Sequence, residues 1–94
     1  MKIEFDPQKN NKNIVERNLS FEKVADFDFS TAQFSIDDRR DYGETRIRAF
    51  GFVGQRLHAL VFVKIDNGIR VISFRKANKK EVKNYEEESA KTIH

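Results

Sequence analysis

The chain has 94 residues, 38% hydrophobic and 35% charged, with nine Phe, four Gly, one Pro, two His, no Cys and a net charge of +3. That length predicts a single domain over residues 1–94 with a modest aromatic core, because a typical domain needs ~50–250 residues. Without Cys, and with only two His, disulfides, thiolate zinc sites, a Cys nucleophile and a His-rich metal site are excluded, and no cofactor is expected.

Ile3 and Phe5 alternate with Glu4 and Asp6, which predicts a short first strand. Asp6-Pro7 then supplies a helix cap and a first-turn proline, so a helix is expected to run through Lys9, Asn13 and Arg17, with Ile14 and Val15 as a thin apolar side. Ser20, Phe21, Val24 and Ala25 predict a second short helix packed by its aromatics. From Ser30 to Gly43 the composition, including Asp37-Asp38-Arg39-Arg40-Asp41, predicts a solvated loop.

Thr45 to Val53, Leu57 to Ile65 and Ile69 to Arg75 read as three strands joined by Val53-Gly54-Gln55-Arg56 and Asp66-Asn67-Gly68-Ile69. Asn-Gly suits a two-residue hairpin turn, so an antiparallel meander is expected. The register this implies sets Phe52 opposite Leu57, Phe50 opposite Ala59, Val63 opposite Ile72 and Val61 opposite Phe74. That face is expected to pack on the first two helices, with Arg46, Arg48 and Arg70 at its margins. His58, Leu60, Phe62, Lys64, Ser73 and Arg75 fall on the open face, although one bulge would move Arg46 or Arg48 across. Asn78 and Glu81 form a capping-box pattern for a final helix over about 78–93, with Val82, Tyr85 and Ser89 as its packing stripe. The fold class is therefore α+β: a short strand, two helices, a three-stranded antiparallel meander and a carboxy-terminal helix.

Charge is unevenly divided. Residues 46–76 carry seven Lys or Arg against Asp66 alone, whereas residues 1–45 carry seven against ten Asp or Glu. Cations held on strands can converge on a polyanion, although Lys and Arg also flank strands simply to keep them soluble. The longest apolar run, Ala59 to Val63, is far shorter than the ~20 residues of a spanning helix. The first six residues lack the apolar stretch of a secretory signal, so a cytoplasmic location without membrane contact is expected. Glycine-rich phosphate loops and the hydrolase nucleophile elbow are absent from the sequence. Asp37, Asp38 and Asp41 alternate with arginines and lack a calcium-loop order. His58 has the chemistry of a general acid or base, but a strand histidine between Leu57 and Ala59 is more often packed. What remains is chemistry run by Arg, Lys and a carboxylate. That set suits RNA phosphodiester cleavage, in which the 2′-hydroxyl is the nucleophile and guanidiniums stabilise charge on phosphorus-bound oxygens.

Asp6-Pro7-Gln8-Lys9-Asn10, Asn13 and Arg17, Leu19-Ser20-Phe21-Glu22, Tyr42-Gly43-Glu44-Thr45-Arg46, Gly54-Gln55-Arg56-Leu57 and Ile69-Arg70-Val71-Ile72-Ser73-Phe74-Arg75-Lys76-Ala77 with Glu81 and Tyr85 together resemble the BrnT toxins of bacterial type II toxin–antitoxin systems. The resemblance covers about residues 3–85. It implies a RelE-like fold and a ribonuclease that arrests translation. It also implies a BrnA-like antitoxin with a ribbon-helix-helix part, and operator DNA bound only through the toxin–antitoxin complex.

Position by position, Lys9 matches an early helical cation, Glu44 and Arg46 an E-x-R signature, Arg56 the cation after the turn glycine, and Arg70, Arg75 and Lys76 an I-R-[IV]-I-S-x-R-[KR]-A signature. Arg75, Arg46 and Lys9 are the expected catalytic cations. Glu44 is the candidate proton acceptor, against the simpler alternative of a surface pair with Arg46. Arg17, Arg48, Arg56, Arg70 and Lys76 are expected to track RNA. Many members have Lys-His-Gly where this chain has Arg17-Asn18-Leu19; if that histidine moves protons in the family, this chain would be attenuated. The alternative is a basic module that binds nucleic acid or an acidic protein without cutting.

Overall fold

A computed structural model describes residues 1–91. In chain order it comprises β1 (Lys2–Glu4), α1 (Pro7–Arg17), a 3₁₀ segment (Phe21–Asp26), β2 (Gln33–Ile36), β3 (Ile47–Val53), β4 (Arg56–Ile65), β5 (Gly68–Lys76) and α2 (Lys79–Lys91). The fold is α+β, but its sheet has five strands in the order β1-β5-β4-β3-β2. The expected three-stranded meander is its centre. β1 adds in parallel to β5, and β2, inside the segment read as a loop, pairs antiparallel with β3. The second helix is a 3₁₀ segment capped by Ser20, whose hydroxyl accepts from the Glu22 amide. No described helix is long and apolar enough to cross a membrane.

α1 starts as its sequence dictates. The Asp6 carboxylate accepts from the Gln8 amide, Pro7 opens the helix, and Asn18 closes it in the left-handed conformation with φ 54°. Asn tolerates that conformation better than most residues. The expected apolar side does not hold the helix: Val15 is 85% exposed and Ile14 is also exposed. Two buried amides do that instead. Asn10 accepts from the Phe21 amide at 2.8 Å, and Asn13 donates to the carbonyls of Leu19 and Phe74, both at 2.9 Å. Helical periodicity in hydrophobicity cannot reveal a helix anchored this way.

Both hairpins form, with one register change. Val53 pairs with Arg56 as expected, and Phe52 with Leu57 and Phe50 with Ala59. The second turn is centred on Asp66 and Asn67, since Ile65 pairs with Gly68 and Asn67 carries the positive φ of 64°. Gly68 is required for a different reason: a Cβ there would collide with the Lys2 carbonyl of β1. Val63 therefore pairs with Arg70, not Ile72. This turn alone would set Val61 opposite Ile72, but the ladder breaks register between Val61 and Phe62, which leaves Ile72 as an extra residue in β5 and pairs Val61 with Ser73 where Phe74 was expected.

The first two helices cover the opposite side of the sheet from the one expected. The helix-covered core contains Ala49, Leu60, Phe62, Ile69, Val71 and Phe74 against Phe21, Val24 and Phe27. Leu60 and Phe62, expected on the open face, are thus at the centre of the main core. Phe50, Phe52 and Leu57, expected against the first two helices, belong to a second cluster with Ala77, Val82 and Tyr85. α2 covers that end as its stripe predicts: Tyr85 is buried and donates to the Thr31 carbonyl, while the Gln33 amide donates to the Tyr85 carbonyl and to Ser89. The expected continuation of this helix toward Ile93 lies outside the described residues.

Replacing Asn13 by Ala would leave two carbonyls without their donor in a buried site. Such a loss costs about 2 kcal/mol, so the urea midpoint of Asn13→Ala is expected to fall accordingly, with the slope of the transition unchanged.

Candidate nucleic-acid interface

The surface left open by α2 is built by direct cross-strand partners. Arg70 lies opposite Val63, Arg48 opposite Val61, Ser73 opposite Val61, and Arg75 opposite Ala59. Partners in a ladder point to the same side of the sheet, and the peptide of Arg46 is held by the Asp37 amide at 2.8 Å at the end of the β2–β3 ladder. Arg46, Arg48, Arg70 and Arg75 therefore share one face. Arg70 and Arg75 are an odd number of positions apart, so a regular strand would have sent them to opposite sides. The extra residue in β5 reverses that parity. The expected separation of Arg75 from Arg46, Arg48 and Arg70 is thereby corrected.

Three carboxylates hold these guanidiniums. Arg75 donates Nη1 and Nη2 to the two oxygens of Glu81 at 2.8 and 2.9 Å. Glu81 also closes the capping box: it accepts from the Asn78 amide, and Asn78 accepts from its amide. The Arg75 pairing is the first cause that holds the Glu81 carboxyl below its ordinary value and raises Arg75. Glu44 binds Arg70 at 2.6 Å and Arg46 at 3.4 Å, and Arg46 stacks over the Tyr42 ring with 4.0 Å to its centroid. Asp37 binds Arg39 through both oxygens at 2.8 and 2.9 Å and lies 3.6 Å from Arg48.

Asp37 and Arg39 were not among the expected site residues, because the Asp37–Asp41 run reads as solvated. The Asp37 side chain is in fact 1% exposed. The only sequence signal was the one-residue spacing of Asp37 from Arg39, which is too common to be specific. The Arg75–Glu81 pair was half visible, since the Asn78 and Glu81 capping box begins beside Arg75.

Lys9 takes no part in this network. It lines a hollow of about 180 Å³ with Lys12, Asn13, Glu16, Arg17 and Ser73 at the edge of β5, and Arg17 also donates to Asn13 at 3.5 Å. Because Ser73 and Arg48 share the partner Val61, this hollow borders the arginine face. Arg56 and Lys76 are elsewhere. Arg56 starts β4 only three residues before Ala59, the partner of Arg75, but it has the parity of His58 and so lies on the other side of the sheet. Lys76 pairs with His58, on the other side of the sheet from Arg75. His58 is buried, stacks on Phe74 at 5.1 Å and contacts the Arg56 carbonyl through Nδ1 at 2.8 Å. Burial is the leading cause that lowers its pKa. It is a packed residue away from the arginine face. Among the described residues, no three His or acidic side chains gather to hold a metal ion. A roomier hollow of about 710 Å³ opens on the helix-covered side, but apolar residues such as Phe29, Phe34, Ile36 and Ile47 dominate its lining and Lys64 is its one cationic side chain. Its lining lacks the charge density to hold a phosphate chain.

A sequence model of the family described as "Ribonuclease toxin, BrnT, of type II toxin-antitoxin system" matches residues 5–81. The chain belongs to the BrnT family. No curated protein matches it. Membership in a family of ribonuclease toxins implies an RNA target and an antitoxin partner. The span shared with BrnT includes Arg46, Arg48, Arg70, Arg75 and their partners Asp37, Glu44 and Glu81, while the rest of α2 lies beyond it.

The Arg39 guanidinium, ahead of the charge of Arg48, holds the Asp37 carboxyl at about 2. A depressed carboxylate stabilises the fold fully above its unfolded value of ~3.9, and that contribution is lost as pH falls through the folded value. The difference in urea stability between the wild type and Asp37→Asn is therefore expected to narrow as pH drops from ~4 to ~2.

Proposed function

We propose that this chain cleaves RNA without a metal, by attack of the 2′-hydroxyl on the adjacent phosphate, and so inhibits translation and growth. The attack closes a 2′,3′-cyclic phosphate as the bond to the 5′-oxygen breaks, and that oxygen leaves as a hydroxyl protonated from solvent. One observation carries the proposal: Arg46, Arg48, Arg70 and Arg75 stand on one open sheet face. Guanidiniums bind phosphate oxygens through a planar fork and stay protonated at working pH, which suits them to the charge that develops during in-line displacement.

Arg75 is assigned to the scissile phosphate, because its fork is already oriented by Glu81. Arg46 is its companion. Glu44, between Arg70 and Arg46, is assigned to accept the 2′-hydroxyl proton once phosphates take its place on the two guanidiniums. Lys9 and Arg17 extend the cationic track across the edge of β5, and Arg48 and Arg70 extend it along the sheet. Arg56 and Lys76 lie on the other side of the sheet and are assigned only to a substrate that wraps around that end of β4 and β5.

The proposed antitoxin is BrnA-like. It silences the enzyme in the cytoplasm by laying acidic side chains over the same arginines, and the pair binds operator DNA through the antitoxin's ribbon-helix-helix part. Exchange of Glu44 for a partner's carboxylate needs no change in the chemistry of the face.

The purified protein is expected to cut single-stranded RNA in EDTA, to leave cyclic-phosphate or 3′-phosphate ends, and to spare a 2′-deoxy substrate. Arg75→Ala should lose roughly a hundredfold in rate while remaining folded. Cleavage that stops in EDTA and returns with magnesium would overturn the mechanism. Salt-dependent RNA binding with no product would instead identify a non-catalytic basic module.

A further inference from the structure

Asp37 is an unusual residue for an Asp- and Arg-rich loop. Its carboxylate is 1% exposed, while the Arg39 side chain bound to it is 66% exposed. Burying a carboxylate is costly unless cations and hydrogen bonds compensate, and here the compensation comes from two guanidiniums that face outward. Arg39 approaches side-on through Nε and Nη2, which leaves both Nη1 hydrogens directed away from the pair. Arg48 approaches the same oxygen, Oδ1, from β3 at 3.6 Å. Tyr42 closes the remaining side, its hydroxyl 3.5 Å from Oδ2.

The backbone is fixed as well, because the Asp37 amide donates to the Arg46 carbonyl. Arg48 and Arg75 occupy neighbouring rows of the sheet, one opposite Val61 and the other opposite Ala59. Arg39 is near enough for its charge to act on Arg75, and Arg48 near enough to act on Glu81. A loop carboxylate thus holds two arginines beside the one assigned to the scissile phosphate.

We propose that Asp37 is a positioning residue that presents Arg39 and Arg48 as a paired clamp for a second RNA phosphate, next to the one engaged by Arg75. The inference rests on the ribonuclease reading for the identity of the ligand, and binding to an RNA that cannot be cut tests it separately from cleavage. The clamp holds a phosphate that does not react, so its loss weakens substrate and transition state alike. It also explains why a chain with a basic face keeps a buried anion at the β2 edge of that face. Side chains as long as arginine lose substantial rotamer entropy when they bind, and a buried carboxylate sustains that loss before the RNA arrives.

The test turns on a sign. Asp37→Asn adds one unit of positive charge, so simple counterion electrostatics predicts tighter RNA binding. A positioning role predicts the opposite. The probe is a single-stranded 2′-O-methyl RNA oligonucleotide, which cannot be cut, titrated at several salt concentrations against the wild type, D37N, R39A, the double variant and E87Q. Glu87 is exposed on α2, and its replacement adds the same charge at a remote site.

D37N and R39A are each expected to bind roughly tenfold more weakly, the double variant no more weakly than D37N, and E87Q as tightly as the wild type or tighter. In cleavage of unmodified RNA, R39A should raise KM with kcat kept. Binding of D37N equal to that of E87Q or tighter, full affinity in R39A, or losses that multiply in the double variant would each overturn the clamp. If D37N melts below the assay temperature, the KM and kcat of R39A decide the matter, and two unchanged constants would reject the clamp. A wild type that binds the oligonucleotide with the expected variant pattern, yet never cuts RNA, would support the clamp while refuting the ribonuclease reading.

Discussion

One extra residue in β5 determines what this molecule can do. Without it, the alternation of the strand would direct Arg70 and Arg75 to opposite sides of the sheet. One of them would then face the core formed by Phe21, Val24, Phe27 and Phe74, where a guanidinium is costly. With it, Val71 and Phe74 both turn inward and Arg70 and Arg75 both turn outward. The bulge thus reconciles an apolar core with a cationic surface in a single short strand.

The resting surface is not a field of bare charge. Arg39, Arg46, Arg48, Arg70 and Arg75 are held by Asp37, Glu44 and Glu81, which leaves a local excess of cations over anions. Partly exposed pairs of this kind contribute little to stability, so most of them can exchange a carboxylate for a phosphate at small cost. Asp37 is the exception, being buried. The face thereby combines an exchangeable counterion at Glu44 with a permanent one beneath Arg39 and Arg48, while Glu81, in bidentate contact with Arg75, orients its guanidinium. α2 is tied to the same system through Glu81, which caps the helix and orients Arg75 at once.

Much of the fold was legible in local chemistry. Asp6-Pro7, Ser20, Gly54 and the Asn78 and Glu81 box each act over a few residues, and the structure uses each as cap or turn. Less legible were features whose cause is distant in sequence. β2 is a strand because β3 offers it an edge, and Asn13 docks α1 because Phe74 presents a carbonyl. Asn67 and Gly68 looked like the two centres of a turn, yet Gly68 owes its identity to the approach of β1. The candidate site followed the same division: Arg46, Arg48, Arg70 and Arg75 were visible as residue types, while Asp37 and Arg39 were hidden in a stretch that looks solvated.

The amino-acid sequence by itself determined the fold class, the two hairpins, the capped helices and the concentration of cations in residues 46–76, because caps, turns and charge counts depend on near neighbours. It also carried the pattern that places the chain among the BrnT toxins. Only the tertiary structure decided which side of the sheet each arginine occupies and which carboxylate meets it. Those outcomes depend on a register break between β4 and β5 and on contacts across the sheet, where a change of one residue in pairing reverses the facing of all that follows.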